Sequence, residues 1–186
     1  MEKIRCFGTG NPIYEKYHDE EWGVENHNEK DLFELLILEG AHAGLSWALI
    51  LNKRENYRKA FDNFDYKKIA EYKENKIQEL LNNEGIVRNK LKINSAIRNA
   101  KAFIAIQKEF KTFNNYIWAF TENKQIKNNW QTPQEIPVST KLSDEISKDL
   151  KKRGMNFVGT TIIYSYLQAI GIINDHFNGC HCYKNK

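Results

Sequence analysis

Apolar residues along this chain of 186 residues return mostly at helical spacing, and strand-like alternation is scarce. Leu32, Phe33, Leu35, Leu36, Ile37 and Leu38 make an almost all-round apolar segment, which predicts a deeply buried helix. Gly40 and Gly44 follow and are expected to break it. Ser46 then caps a second helix running through Ile50 and Tyr57 to about Phe61, and Asp65 caps a short one over Tyr66 to Tyr72. Ile77, Leu80 and Leu81 share one face of the next helix, which ends near Asn83 with Gly85 as a left-handed stop. A long helix is predicted from about Arg88 to Glu109, with Ile93, Ile97, Ala100 and Ile104 on one stripe. Three more follow: Asn114 through Trp118, Asp144 to Arg153 before Gly154, and Phe157 to Ile170 before Gly171. Thr121 to Thr140, which holds Pro133 and Pro137, reads as loop. The pattern predicts an all-α fold with short connections.

Composition narrows the class. The chain is long enough for one compact unit over 1–186 with a sizeable core. Its 41% hydrophobic and 12% aromatic residues place it among globular rather than disordered sequences. A formal net charge of +4 permits a nucleic-acid partner without demanding one. The N-terminus, MEKIRCFG, has no apolar signal core, and no run reaches the roughly 18 apolar residues of a membrane span. A cytoplasmic protein with no membrane partner is expected. There Cys6, Cys180 and Cys182 would be reduced and free to bind metal.

Two segments at opposite ends carry the clearest chemistry. Cys6 and His18 form C-x11-H, and His176 and Cys180 form H-x3-C. Each residue alone reads better as a packed histidine or a buried thiol. Together they make a Cys₂His₂ set, which suits tetrahedral Zn²⁺. His181 and Cys182 crowd the same stretch as rival ligands. All four ligands come from protein, so the expected metal is structural, and its binding would add to folding energy.

A second constellation surrounds the first. Tyr14, Tyr17 and Trp22 flank His18, so a metal there would fix those rings. Glu39 sits between Leu38 and Gly40, an unusual place for a surface carboxylate; if buried and ionised it must meet a donor or a cation. Trp47, after the Gly44 break, can supply a facing wall. Each ring alone also reads as core, but the set describes a pocket for a flat cation, held by stacking and cation–π contact.

LLNNEGIVRNKLKI joins two amphipathic helices through a Gly-containing turn, the layout of a helix–hairpin–helix element or of a plain interhelical turn. Such hairpins present backbone N–H groups to DNA phosphate, here around Gly85 and Val87, with Arg88, Lys90 and Lys92 adding charge. The common hairpin has glycine where Val87 stands. A second basic stretch, KKRGMNFVGTT, reads as a solvated helix end or as a face toward DNA or the pocket mouth. Two other classes fit parts of the chain. A zinc-stabilised DNA-binding module explains the hairpin but not Glu39, and a metal-dependent hydrolase would need an open coordination position that no motif supplies.

YHDEEWGV, LFELLILEGAHAGLSW, KRENYRKAF, GIVRNKLKI, EIPVST, KKRGMNFVGTTI and NDHFNGCHCY, in that order, resemble the 3-methyladenine DNA glycosylase I family nearly end to end. The resemblance implies a helix–hairpin–helix glycosylase with two helical lobes flanking a base pocket. The lobes are expected at about 29–108, with the hairpin, and at 1–28 plus 109–186, pinned by zinc. It implies structural zinc on Cys6, His18, His176 and Cys180, and a pocket of Glu39, Tyr17 and Trp47 with Trp22 and Tyr14 nearby. It places Leu45 where the family wedges into the duplex. The implied partner is double-stranded DNA carrying alkylated bases, bound by a monomer. The implied reaction is base flipping followed by hydrolysis of an already labile, cationic 3-methyladenine, with Glu39 complementing the charge. No lysine is positioned for a Schiff base, so strand cleavage is not expected. The chain departs from the family in having Phe7 and no Trp between Cys6 and Pro12, His42 where an amide is expected, and His181 between two cysteines. The wider superfamily's catalytic Asp is absent beside Pro133 and Pro137, as it is in this family.

Overall fold

A computed structural model describes residues 3–183, so residues 1–2 and 184–186 of the expected single unit lie outside it. Among the described residues the fold is helical: α1 (Pro12–Glu20), α2 (Glu29–His42), α3 (Trp47–Ala60), α4 (Tyr66–Ala70), α5 (Glu74–Asn82), α6 (Lys90–Phe110), α7 (Phe113–Ala119), α8 (Lys141–Lys152) and α9 (Thr160–Ala169). Helix α2 is the axle. Its Leu32, Phe33, Leu35, Leu36, Ile37 and Leu38 are all buried, and it is flanked by α3, α6, α7 and α9. At about 1.5–3 kcal/mol for each large apolar side chain removed from water, this one helix anchors much of the core.

Two predicted caps form as hydrogen bonds, at Ser46 and Asp65, and two more appear at Asn89 and Thr140. Ser46 accepts from Leu49 N–H, and Asp65 from Lys67 and Lys68 N–H. Asn89 starts α6 by accepting from Lys92 N–H. Thr140 and Ser143 make a reciprocal capping box at α8.

Several local expectations change. Gly40 does not break α2; it lies inside the helix, where an added Cβ would sit 3.3 Å from Phe157 Cβ, so its smallness serves packing. The break comes at Gly44, whose φ of +77° is open to glycine at little cost. Gly85 is not a left-handed stop. Its N–H goes to Asn83 Oδ1 at 2.8 Å, and a Cβ there would crowd Asn83 and Asn56. Phe157 has φ +54° and precedes α9, which starts only at Thr160. Helix α1 was not predicted, although Asn11 caps it and Pro12 occupies its first turn. The expected 121–140 loop contains β1 (Ile126–Lys127), which pairs in parallel with β2 (Ile173–Asn174) and ties the loop beside the C-terminal segment.

Candidate functional site

A cavity of about 330 Å³ opens between α1, α2, α3, α9 and the Pro133–Ile136 turn. Tyr14, Tyr17, Trp22, Glu39 and Trp47 all line it, so the side chains picked from sequence as one pocket do converge. Phe7, from the segment that lacks a Trp, also lines the cavity, 4.8 Å from the Tyr14 ring and 4.9 Å from Trp22, between centroids. Tyr17 and Trp47 do not face each other as parallel plates. Their centroids are 5.5 Å apart with planes at 60°, so they form two adjoining walls.

Polarity inside this cavity is uneven. Glu39 is buried, and its only side-chain partner among the described residues is His42, with Nδ1 3.1 Å from Oε2. Burial pushes the Glu39 carboxyl above the usual range, and His42 offsets part of that. Burial and the charge of Glu39 together also raise Tyr17. Trp47 Nε1 is the one buried side-chain nitrogen or oxygen without a partner among the described residues. An apolar room with one under-compensated acid and one idle donor is suited to a ligand that is flat, polar at its edge and electron-poor.

The metal-ligand candidates also meet. Cys6, His18, His176 and Cys180 bring their donor atoms within 4.8 Å of one another, a group able to hold a metal ion. Cys180 Sγ lies 3.5 Å from His18 Nε2 and 3.4 Å from His176 Nδ1, and Cys6 Sγ lies 3.7 Å from the latter. The outward nitrogens are held too: His18 Nδ1 is 2.8 Å from Asp19 Oδ1, and His176 Nε2 is 3.0 Å from Trp22 O. Those contacts place a hydrogen on each outward nitrogen and turn the other nitrogen toward the thiols, where His18 Nε2 also accepts from Cys6 N–H at 3.1 Å. The thiols differ: Cys180, hydrogen-bonded by Cys6 and both imidazoles, is held low, and Cys6 is pushed up beside it. His18 and Cys180 also belong to a second group with His181 and Cys182. Cys6 lines the cavity as well, so the two sites share a wall.

The hairpin is present between α5 and α6, but its donors are largely taken. Gly85 N–H goes to Asn83 Oδ1 and Val87 N–H to Tyr57 Oη at 3.2 Å. Lys92 does not face phosphate. It turns inward and donates to Ala41 O and Ala43 O at 2.8 and 2.6 Å, holding the C-terminal end of α2. Arg88 and Lys90 remain exposed. In the second basic stretch Arg153 is engaged by Asp149 and Glu109, while Lys151 and Lys152 face solvent. Leu45 projects from the turn after α2 with 37% exposure.

Sequence reasoning missed Pro133, Ile136, Ser165 and Gln168 as lining residues. It also missed buried Asp175, which accepts from Asn128, Trp130, Tyr164 and Gln168 and so braces the segment ahead of His176.

The sequence model of the methyladenine glycosylase family matches residues 7–183. The chain belongs to this family. It is 46% identical over 180 residues to DNA-3-methyladenine glycosylase 1 of Escherichia coli (strain K12), covering 96% of each chain. A crystal structure of 3-methyladenine DNA glycosylase I superposes with a TM-score of 0.93 at 44% identity, over 96% of this chain and 99% of that one. A Staphylococcus aureus 3-methyladenine DNA glycosylase I, whose structure addresses 3-methyladenine recognition, does so with 0.93 at 32% identity, over 96% and 95%. No helix among the described residues is long and apolar enough to cross a membrane.

Proposed function

We propose that this methyladenine glycosylase removes 3-methyladenine from alkylated double-stranded DNA by hydrolysing the N-glycosidic bond, and that the cavity around Glu39 is its base pocket. The observation that carries the reading is Glu39 itself: a buried carboxylate in an aromatic room, with its charge met among the described residues only by an imidazole. Methylation at N3 makes the base cationic and weakens its bond to deoxyribose, and the base leaves neutral. Strong protonation of the leaving group is therefore unnecessary. The enzyme has to flip the base, which costs a few kcal/mol, and hold it while water attacks C1′. Glu39 complements the charge, while Tyr17 and Trp47 offer ring faces, on the order of 1–2 kcal/mol per cation–π contact. Trp22, Tyr14 and Phe7 close the room, and the idle Trp47 Nε1–H is a donor the base can satisfy. Ordinary adenine lacks the charge and gains less.

Leu45, at the exposed turn beside the pocket, is the residue read as wedging into the duplex. Gly85 and Val87 shape the hairpin, and Arg88 and Lys90 supply phosphate attraction, in a lobe read as about 29–108 against 1–28 plus 109–186. We read the protein as a cytoplasmic monomer.

We read the Cys6, His18, His176, Cys180 group as a structural zinc site. A tetrahedron with sulfur at ~2.3 Å and nitrogen at ~2.0 Å spaces neighbouring S and N atoms about 3.5 Å apart. The observed S–N separations of 3.4, 3.5 and 3.7 Å support that fit. Bound there, zinc joins the two ends of the chain and takes no part in the chemical step. The experiment is release of free 3-methyladenine from methylated duplex DNA. Release with the strand intact until alkali is added is the expected result. Binding to that DNA without any release would leave only a binding module.

A further inference from the structure

We infer that His42 is a positioning residue for Glu39, and that protonation of its ring switches off the negative charge the pocket offers to a cationic base. The inference rests on the base-pocket reading of Glu39. His42 closes α2 one turn after Glu39, so both side chains leave the same face. Its Nδ1 lies 3.1 Å from Glu39 Oε2, its ring is 5.5 Å from the Trp47 ring at 59°, and it lines the cavity. The carboxylate is 3% exposed in its side chain and the imidazole 25%, so the imidazole is the half of the pair open to solvent.

The surroundings contain few competing charges. From α1, Tyr14 and Tyr17 face the pocket, both held neutral chiefly by burial. From the N-terminal segment the Cys6 thiol borders it. From α6, Lys92 Nζ is bound to Ala41 O and Ala43 O, the carbonyls on either side of His42. Trp47 on α3 is uncharged. Among the described residues Glu39 is the one carboxylate paired with His42.

A neutral His42 with hydrogen on Nδ1 donates one bond to Oε2 and fixes the carboxylate. The full negative charge and the second oxygen stay available to the base edge. A protonated His42 makes the pair neutral overall, and the electrostatic preference for a cationic base over an ordinary one is lost. A glutamine at position 42 could donate the same kind of hydrogen bond but could not be switched.

The test is single-turnover excision of 3-methyladenine from methylated duplex DNA across about pH 5 to 8, for wild type, H42Q and H42L, with the His42 ring titration followed by NMR. Melting temperature checks that each variant is folded. In wild type, excision is expected to fall about tenfold per pH unit below a midpoint that coincides with the His42 titration. H42Q should match wild type within about twofold above that midpoint and have its acid limb moved or abolished, while folded H42L should lose about tenfold throughout. An acid limb with the same midpoint in H42Q, or full activity in H42L, would overturn the inference. Failure of the wild type to release base at any pH would instead sink the base-pocket reading.

Discussion

Helix α2 buries two carboxylates, five residues apart, and treats them in opposite ways. Glu34 and Glu39 are each 2% exposed. Glu34 is gripped by two guanidinium groups: Arg54 Nε at 2.5 Å from Oε1, and Arg58 through Nε and Nη2 at 2.7 to 3.2 Å. Arg54 reaches on to Glu21 at 2.7 Å, so the cluster also ties α3 to the end of α1. Burial pushes the Glu34 carboxyl up, but the two arginines outweigh it and hold it below the usual range. Glu39 has the same burial and one imidazole, and its carboxyl stays above the usual range. One charge is fully answered within the fold; the other has a single imidazole, which on our reading leaves it for a ligand. The contrast separates an acid that builds from an acid that waits.

The most severe way to break this comparison is to remove what aligns α1 against the C-terminal segment. Chelation, or H176A, should unfold the protein or lower its melting temperature steeply, since structural zinc can contribute on the order of 10 kcal/mol to folding. A melting curve unchanged by chelation, with the metal shown to be gone, would end the structural-zinc reading. Next, E34A leaves Arg54 with only Glu21 and Arg58 with only Glu55, and should cost about 3–5 kcal/mol in denaturant unfolding. A loss below about 1 kcal/mol would mean the cluster is a surface pair in effect.

E39Q should lower excision about 100-fold, or about 2.7 kcal/mol, yet leave the protein at least as stable at neutral pH. The pH dependence sharpens the difference, because the signs oppose. Glu34 has a depressed value, so its contribution is present above the unfolded carboxylate pKa and is lost as pH falls through the folded one. Glu39 has a raised value, so ionisation costs stability above the unfolded pKa, and that cost disappears as pH falls through the folded one. Stability measured against E34Q and against E39Q should therefore change in opposite directions on acidification; parallel changes would refute the contrast. The smallest effect is expected from H181A. Bound zinc should stay near one per chain if Cys6 and His176 are the ligands, whereas loss of metal would move the site to the His181 and Cys182 group.

What could be read from the sequence followed chemistry carried by neighbouring residues. Helix α2 was legible because its apolar run is nearly continuous, and Ser46 and Asp65 because a cap acts within three residues. Glu39 stood out as an acid in an apolar run. Glu34, between Phe33 and Leu35, carried the same signal, but its meaning depends on Arg54 and Arg58, 20 and 24 residues away. Lys92 was misread for a similar reason: its charge suggests phosphate, and only the packing of α6 on α2 turns it toward two carbonyls. Gln168, a polar residue buried in the apolar run of α9, carries a signal of the same kind as Glu39. Pro133 and Ile136 gave none, since a loop's place against a pocket is set by pairing such as β1 with β2.

Gly171 has φ +72°, and any Cβ there would sit 2.2 Å from Val24 C. The chain near residue 24 and the chain near residue 171 thus lie almost in contact, as do Cys6 and His176, 170 positions apart. Protein synthesis runs from one of these partners to the other. While the ribosome is still making the helices in between, Tyr17, Trp22 and Glu39 already exist but the segment that locks them does not. The nascent chain therefore carries an apolar α2 and its Glu39 long before Gly171, His176 and Cys180 exist to close the pocket around them.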